Sequence, residues 1–230
     1  MQQCKKVLFL IDWDDTILPT TWLRNGGYLA GTVVEMETAP RLRPIPPSLA
    51  AAIFEIEKQA LALIEAAEKL GTVIFVTNSS SQWIPFTVKR FFPTLLAPAM
   101  TRFEMHSARP EAVERELSES SRNVLYVPSM GINWKCEKFS KLASRARFTD
   151  FISIGDGMAE RTAVLTLRRF GCAKAVRLDP QPTITLMIDQ LSYLKNYVVQ
   201  IVHESRSGDV TLYTDGYSID PITDENDLPR

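Results

Sequence analysis

The chain opens on Lys6 to Ile11, a continuous run of branched and aromatic residues bounded by charge, the pattern of a strand covered on both faces of a parallel sheet. Four more short runs read as strands: Thr72 to Val76, Phe103 to Ser107, Phe151 to Ile154 and Ala173 to Leu178. Between them lie segments of helical period. Ser48 is placed to cap a helix running to about Leu70, with Ile53, Ile56, Ala60, Leu61, Ile64 and Ala67 on one face and Gly71 to stop it. A last long helix, from about Thr183 to Glu204, carries Ile184, Met187, Ile188, Leu191, Leu194, Val198 and Ile201 at three- and four-residue steps, a core stripe. Strand and helix in alternation predict one doubly wound, Rossmann-like α/β domain over 1–214, its sheet parallel and its helices on both faces. Two stretches break the rhythm. Leu18 to Pro46, with Gly26, Gly27 and a proline-rich end, reads as a small flap or cap insertion, and Glu111 to Met130 as a surface excursion. From Asp215 to Arg230 the chain turns acidic and apolar residues thin out, as in a loosely attached tail.

At 45% hydrophobic and 23% charged, 230 residues are those of a folded domain rather than a disordered chain. Lys and Arg number 26 against 27 Asp and Glu, so no bulk field draws the molecule to nucleic acid or anionic membrane, and any phosphate-seeking charge must be local. Cys4, Cys136 and Cys172 are far apart and lack metal-ligand spacing, which predicts free thiols in a reducing compartment. The apolar run Val7 to Ile11 is too short for a signal-peptide core or a spanning helix, so a cytoplasmic location without membrane partner is expected. No oligomeric state is written in these patterns.

Chemistry concentrates where the first strand ends, in Asp12-Trp13-Asp14-Asp15-Thr16. Open α/β sheets bind ligands beyond the carboxyl ends of their strands. Carboxylates this close raise one another's pKa unless a metal, a lysine or a retained proton relieves them. Trp13 alternates away from its acidic neighbours and is expected in the core, with Asp15 a turn residue. His106 and His203 stand apart from any carboxylate or cysteine at useful spacing and receive no role.

Asp-x-Asp-x-Thr after a hydrophobic strand resembles the first motif of the haloacid dehalogenase superfamily, mostly magnesium-dependent phosphatases and phosphotransferases. Three further motifs follow in that family's order: Thr77-Asn78 at the end of Thr72 to Val76, a lysine within Asn133 to Phe139, and Gly155-Asp156-Gly157-Met158-Ala159-Glu160 after Phe151 to Ile154. The resemblance covers residues 6–160. It implies a haloacid-dehalogenase-like fold and hydrolysis of a phosphate monoester, with Asp12 the nucleophile forming an aspartyl-phosphate and Asp14 the acid and base. It further implies Thr77 and the Asn78 amide on the phosphoryl oxygens, and a lysine that neutralises them. Lys135 is preferred for that role, as the one nearer the start of its helix, with Lys138 the alternative. Magnesium would be held by Asp12, the backbone carbonyl of Asp14 and Asp156. Glu160 stands where the family more often has aspartate; it either reaches the ion through water or is a first-turn glutamate favoured by the helix dipole.

Neither the segment after Asp12 nor the 57 positions between Thr77 and Lys135 has room for a large cap. An uncapped site admits bulky phosphorylated substrates, such as a phosphoprotein or a nucleic acid end. Two other readings stay open at this point: a non-catalytic interaction module of the same fold, and a phosphotransferase or mutase of the same superfamily.

Overall fold

The computed structural model describes residues 6–38, 42–119 and 128–221. Seven strands form one sheet: β1 (Val7–Ile11), β2 (Gly71–Thr77), β3 (Glu104–Ser107), β4 (Asp150–Gly155), β5 (Cys172–Arg177), β6 (Gly208–Tyr213) and β7 (Gly216–Asp220). Their order is β3-β2-β1-β4-β5-β6-β7. Every pairing is parallel except β6 with β7. From β1 the chain winds outward to β2 and β3, then returns to β4 beside β1 and winds the other way. The order therefore reverses between β1 and β4, and a crevice opens at the carboxyl ends of those two strands.

The helices are α1 (Thr20–Asn25), α2 (Val33–Thr38), α3 (Pro47–Glu68), α4 (Trp83–Phe91), α5 (Leu96–Met100), α6 (Glu111–Glu119), α7 (Pro128–Ala143), α8 (Met158–Leu165) and α9 (Ile184–His203). Strand alternation in β1 assigns the two faces. Phe9, Ile11 and Trp13 join a core with Ile53, Ile56 and Ile64 of α3 and Leu191, Leu194 and Val198 of α9. Leu8 and Leu10 join the other core with Phe139 and Leu142 of α7 and Ala163 and Val164 of α8. The doubly wound α/β architecture expected from the sequence is present.

Four local expectations are corrected. Ser48 lies inside the first turn of α3, where Pro46 occupies the cap position and Pro47, which has no N–H to satisfy, starts the helix. Gly71 does not stop that helix, which ends at Glu68; it opens β2, where a Cβ would come 2.4 Å from the Val7 carbonyl. The Glu111 to Met130 stretch, read as a break in the strand-helix rhythm, holds α6 and the first turn of α7, with 120–127 outside the described residues. Residues Gly216–Asp220 of the expected tail form β7, hairpin-paired to β6 through Val210–Ile219 and Leu212–Tyr217; 222–230 lie outside the described residues.

Leu18 to Pro46 is a small helical flap, α1 and α2, anchored by buried Leu23, Leu29 and Met36, with 39–41 outside the described residues. Among the described residues no helix is long and apolar enough to cross a membrane.

Candidate active site

At the switch point Asp12 leaves β1 and Asp156 leaves β4. Asp12 donates its backbone N–H to the Ile154 carbonyl at 2.9 Å, which ties the first residue of the acidic segment to the end of β4. Asp12, Asp156 and Glu160 offer carboxylate oxygens that all lie within 4.8 Å of one another. The Lys135 ammonium donates to Asp12 Oδ1 at 2.5 Å and to Glu160 Oε1. Lys135 and Glu160 are 1% and 4% exposed, so this is a buried centre and not a wet acidic turn. Asp12, Asp14, Asp15, Asn78, Ile132, Lys135, Asp156 and Glu160 line one open pocket of about 440 Å³.

Local sequence seats these groups. Gly155 and Gly157 flank Asp156, and a Cβ on either would meet Glu160, at 2.4 Å from Cγ and 2.8 Å from Oε2. The glycines leave the room in which the first turn of α8 presents Glu160 to Lys135. Lys135 sits two turns into α7, because that helix starts earlier, at Pro128, than the sequence indicated. Lys138 is not with the carboxylates; its charged neighbours are Lys141, Arg145, Glu111 and Glu114.

Charge explains the coupling. Burial alone would push the Lys135 ammonium down, but Asp12 and Glu160 hold it above its ordinary value. Burial pushes Asp12 up against the pull of Lys135, and Glu160, Asp156 and Asp14 push it further. Asp156 is raised to about 7 by burial, then by Glu160 and Asp15. Three carboxylates against one ammonium leave two negative charges without a partner, and the donors are hard oxygens. That set fits a divalent cation such as magnesium.

Asp14 is held differently. Its Oδ1 accepts from Thr20 Oγ1 at 2.6 Å and Trp83 Nε1 at 2.8 Å, and its Oδ2 from Thr77 Oγ1 at 3.1 Å and Ser79 Oγ at 3.2 Å. Four donors on three segments fix one rotamer beside the pocket. Thr77, expected on phosphoryl oxygens, is 1% exposed and spends its proton on Asp14. It positions Asp14, and Asn78 is the residue of that pair which lines the pocket. Asn78 is anchored through its carbonyl, which accepts from Arg109 Nε at 2.7 Å.

Asp15 is the turn residue expected, with φ of 54°, a left-handed conformation that Asp tolerates. Its carboxylate also accepts from Thr21 N at 2.8 Å and from the Thr21 hydroxyl, tying the turn to α1. Trp13 is buried as expected and donates to Thr87 Oγ1 at 2.9 Å on α4.

Thr20, Ser79 and Trp83 were not identified from the sequence. Only Ser79 had a local signal, its adjacency to Thr77-Asn78; Thr20 and Trp83 reach Asp14 across six and sixty-nine positions of chain.

Fold and site together define a doubly wound α/β protein with a buried acidic centre, neutralised in part by one lysine, at the topological switch point. No family model matches the chain, and a search of curated proteins finds no match.

Proposed function

We propose that this protein is a magnesium-dependent phosphate monoester hydrolase of the haloacid dehalogenase type, acting through an aspartyl-phosphate on Asp12. The observation that carries the reading is the ammonium of Lys135 between Asp12 and Glu160, with Asp156 beside them, at the carboxyl end of the first strand. Such a centre combines a nucleophilic carboxylate, a fixed cation and an unfilled demand for two positive charges.

In this reading Asp12, Asp156 and Glu160 hold the metal. When bound, magnesium supplies positive charge to the phosphoryl oxygens. An Asp12 oxygen attacks phosphorus in line; the new O–P bond forms as the ester O–P bond breaks, and Asp14 gives its proton to the departing oxygen. Water then attacks the same phosphorus, Asp14 takes its proton, and phosphate leaves as Asp12 is regenerated. Lys135 stays an ammonium throughout and offsets charge that builds on the transferring group. The donors around Asp14 keep it aimed through both half-reactions. None of the described residues of the α1–α2 flap lines the pocket, which supports a bulky phosphorylated substrate.

Release of nitrophenol from para-nitrophenyl phosphate tests the reading, since that substrate asks for no specificity pocket. Turnover should require magnesium and fall by at least about a thousandfold in Asp12→Asn, the loss of a nucleophile. A well-folded protein with no turnover under any divalent cation would favour the non-catalytic interaction module. Equal turnover in Asp12→Asn would exclude the aspartyl-phosphate.

A further inference from the structure

The rim of the sheet opposite the carboxylates collects cations. The loops entering β4 and β5 meet there around Thr149. Its backbone N–H donates to the Lys6 carbonyl at 2.9 Å, its hydroxyl accepts from Lys6 N at 3.0 Å, and its carbonyl accepts from Cys172 N at 3.0 Å. A Cβ on Gly171 would stand 2.3 Å from that same carbonyl. Lys6, Arg147, Arg168, Arg169 and Phe170 are therefore neighbours on one rim. The turn before β6 brings Arg206 alongside, because Ser207 Oγ accepts from Ala173 N at 3.0 Å.

Acidic residues at this end are occupied or remote. Glu104 is engaged by Arg145 at 2.6 Å, Asp209 by Arg161 at 2.7 Å, and Asp150 is buried beside Lys174. Glu204 lies 3.8 Å from Arg206, and exposed Asp220 sits at the outer strand. Among the described residues Lys6, Arg147, Arg168 and Arg169 have no carboxylate within ion-pair reach. Phe170 is 56% exposed with the Arg169 guanidinium 4.7 Å from its ring centre.

We propose that this rim is a docking surface for single-stranded nucleic acid, its arginines on phosphates and Phe170 stacked on a base. Arginine dominates over lysine here, and its planar fork matches phosphate oxygens in pairs. A ring exposed among cations is a stacking platform that takes an unpaired base and not one inside a duplex. A membrane would need an apolar face several residues wide, whereas these loops expose one large apolar side chain. The carboxylates of Asp12, Asp156 and Glu160 lie a strand length away, about 20 Å, and repel a polyanion. A net charge of -1 therefore hides an oriented molecule. The proposal does not depend on the phosphatase reading.

Fluorescence anisotropy of a labelled oligouridylate of about twenty nucleotides tests it. Neutralising about four phosphates gives a slope near -3 in log affinity against log salt, so affinity should fall roughly fiftyfold from about 50 to 200 mM salt. Arg168→Glu combined with Arg169→Glu should weaken binding at least about tenfold and flatten that slope. Phe170→Ala should weaken it about fivefold or more with the slope unchanged, since stacking carries no counterion release. If the double variant does not fold, Arg147→Glu reads the same slope. Absence of binding, binding indifferent to these substitutions, or association with phosphatidylserine vesicles without oligonucleotide binding would each overturn the proposal, the last in favour of a membrane.

Discussion

Two carboxylates two positions apart in the same segment have opposite surroundings. Asp12 faces an ammonium and two acids, whereas Asp14 faces only hydrogen-bond donors. The indole of Trp83 is the most distant of those donors in sequence and the one that removes most cleanly. Trp83→Phe keeps the ring in the core and deletes the N–H. It should lower kcat for para-nitrophenyl phosphate by about tenfold or more, with magnesium binding unchanged, as expected when a proton-transfer group loses its aim. An unchanged kcat would leave Trp83 a packing residue.

Asp156 contributes to the pH dependence together with Asp12, which burial also pushes up. The Asp156 carboxyl is raised to about 7 in the fold, against about 3.9 in the unfolded chain. Between those values the folded state binds a proton that the unfolded state lacks, so the contribution of Asp156 to stability falls as pH rises through this window and is flat above it. A cation bound by Asp156 competes with that proton. Magnesium should therefore raise the thermal midpoint more at pH 8 than at pH 5.5, measured by differential scanning fluorimetry; a shift independent of pH would separate Asp156 from metal binding.

Among elements, α5 shows how a buried charge can be structural. Glu57, on α3 and 1% exposed, accepts on one oxygen from the backbone N–H groups of Thr94, Leu95 and Leu96, at 3.0, 2.7 and 2.9 Å. These are the donors at the start of α5, which no residue of its own caps. Glu57→Ala should cost about 2–4 kcal/mol, three buried donors losing their acceptor, and lower the midpoint by roughly 5–12 °C. Glu57→Gln keeps an oxygen in place and should cost less; equal losses would mean that packing, not capping, is the role of Glu57. α9 is capped in the ordinary way, Thr183 Oγ1 accepting from Leu186 N, and its boundaries were legible from that threonine and the apolar stripe. The start of α7 carries the same signal as that of α3, a proline at the first helical position, Pro128, which the sequence reading passed over.

Across the whole molecule, the β6–β7 hairpin closes the β5 edge and packs Val210, Leu212, Tyr217 and Ile219 against the core that holds α9. A signal for it exists in the sequence: Asp215-Gly216 between the alternating pairs Val210, Leu212 and Tyr217, Ile219. The tail reading took polarity for looseness, whereas an edge hairpin is polar on its open face. Ending the chain at Ser207 should expose the parallel edge of β5 and the part of the core that Val210 and Ile219 cover, giving an aggregated or non-cooperatively melting protein by size-exclusion chromatography and calorimetry. A monomer with an unchanged melting transition would show the hairpin to be an accessory.

Strands β1 to β5, the two long helices and the acidic segment after the first strand were determined by the sequence itself, because buried strands and amphipathic helices write their period locally and strand-end acids stand out against it. Which lysine reaches Asp12, which donors aim Asp14, and which loops share a rim were decided only by the tertiary structure. Lys135 and Lys138 look alike along the chain and share a helix face; the rise of about 4.5 Å between them leaves one at the carboxylates and the other beside Lys141, Arg145, Glu111 and Glu114. Trp83 and Thr149 acquire their roles through strand order, which brings together segments that no short-range pattern connects.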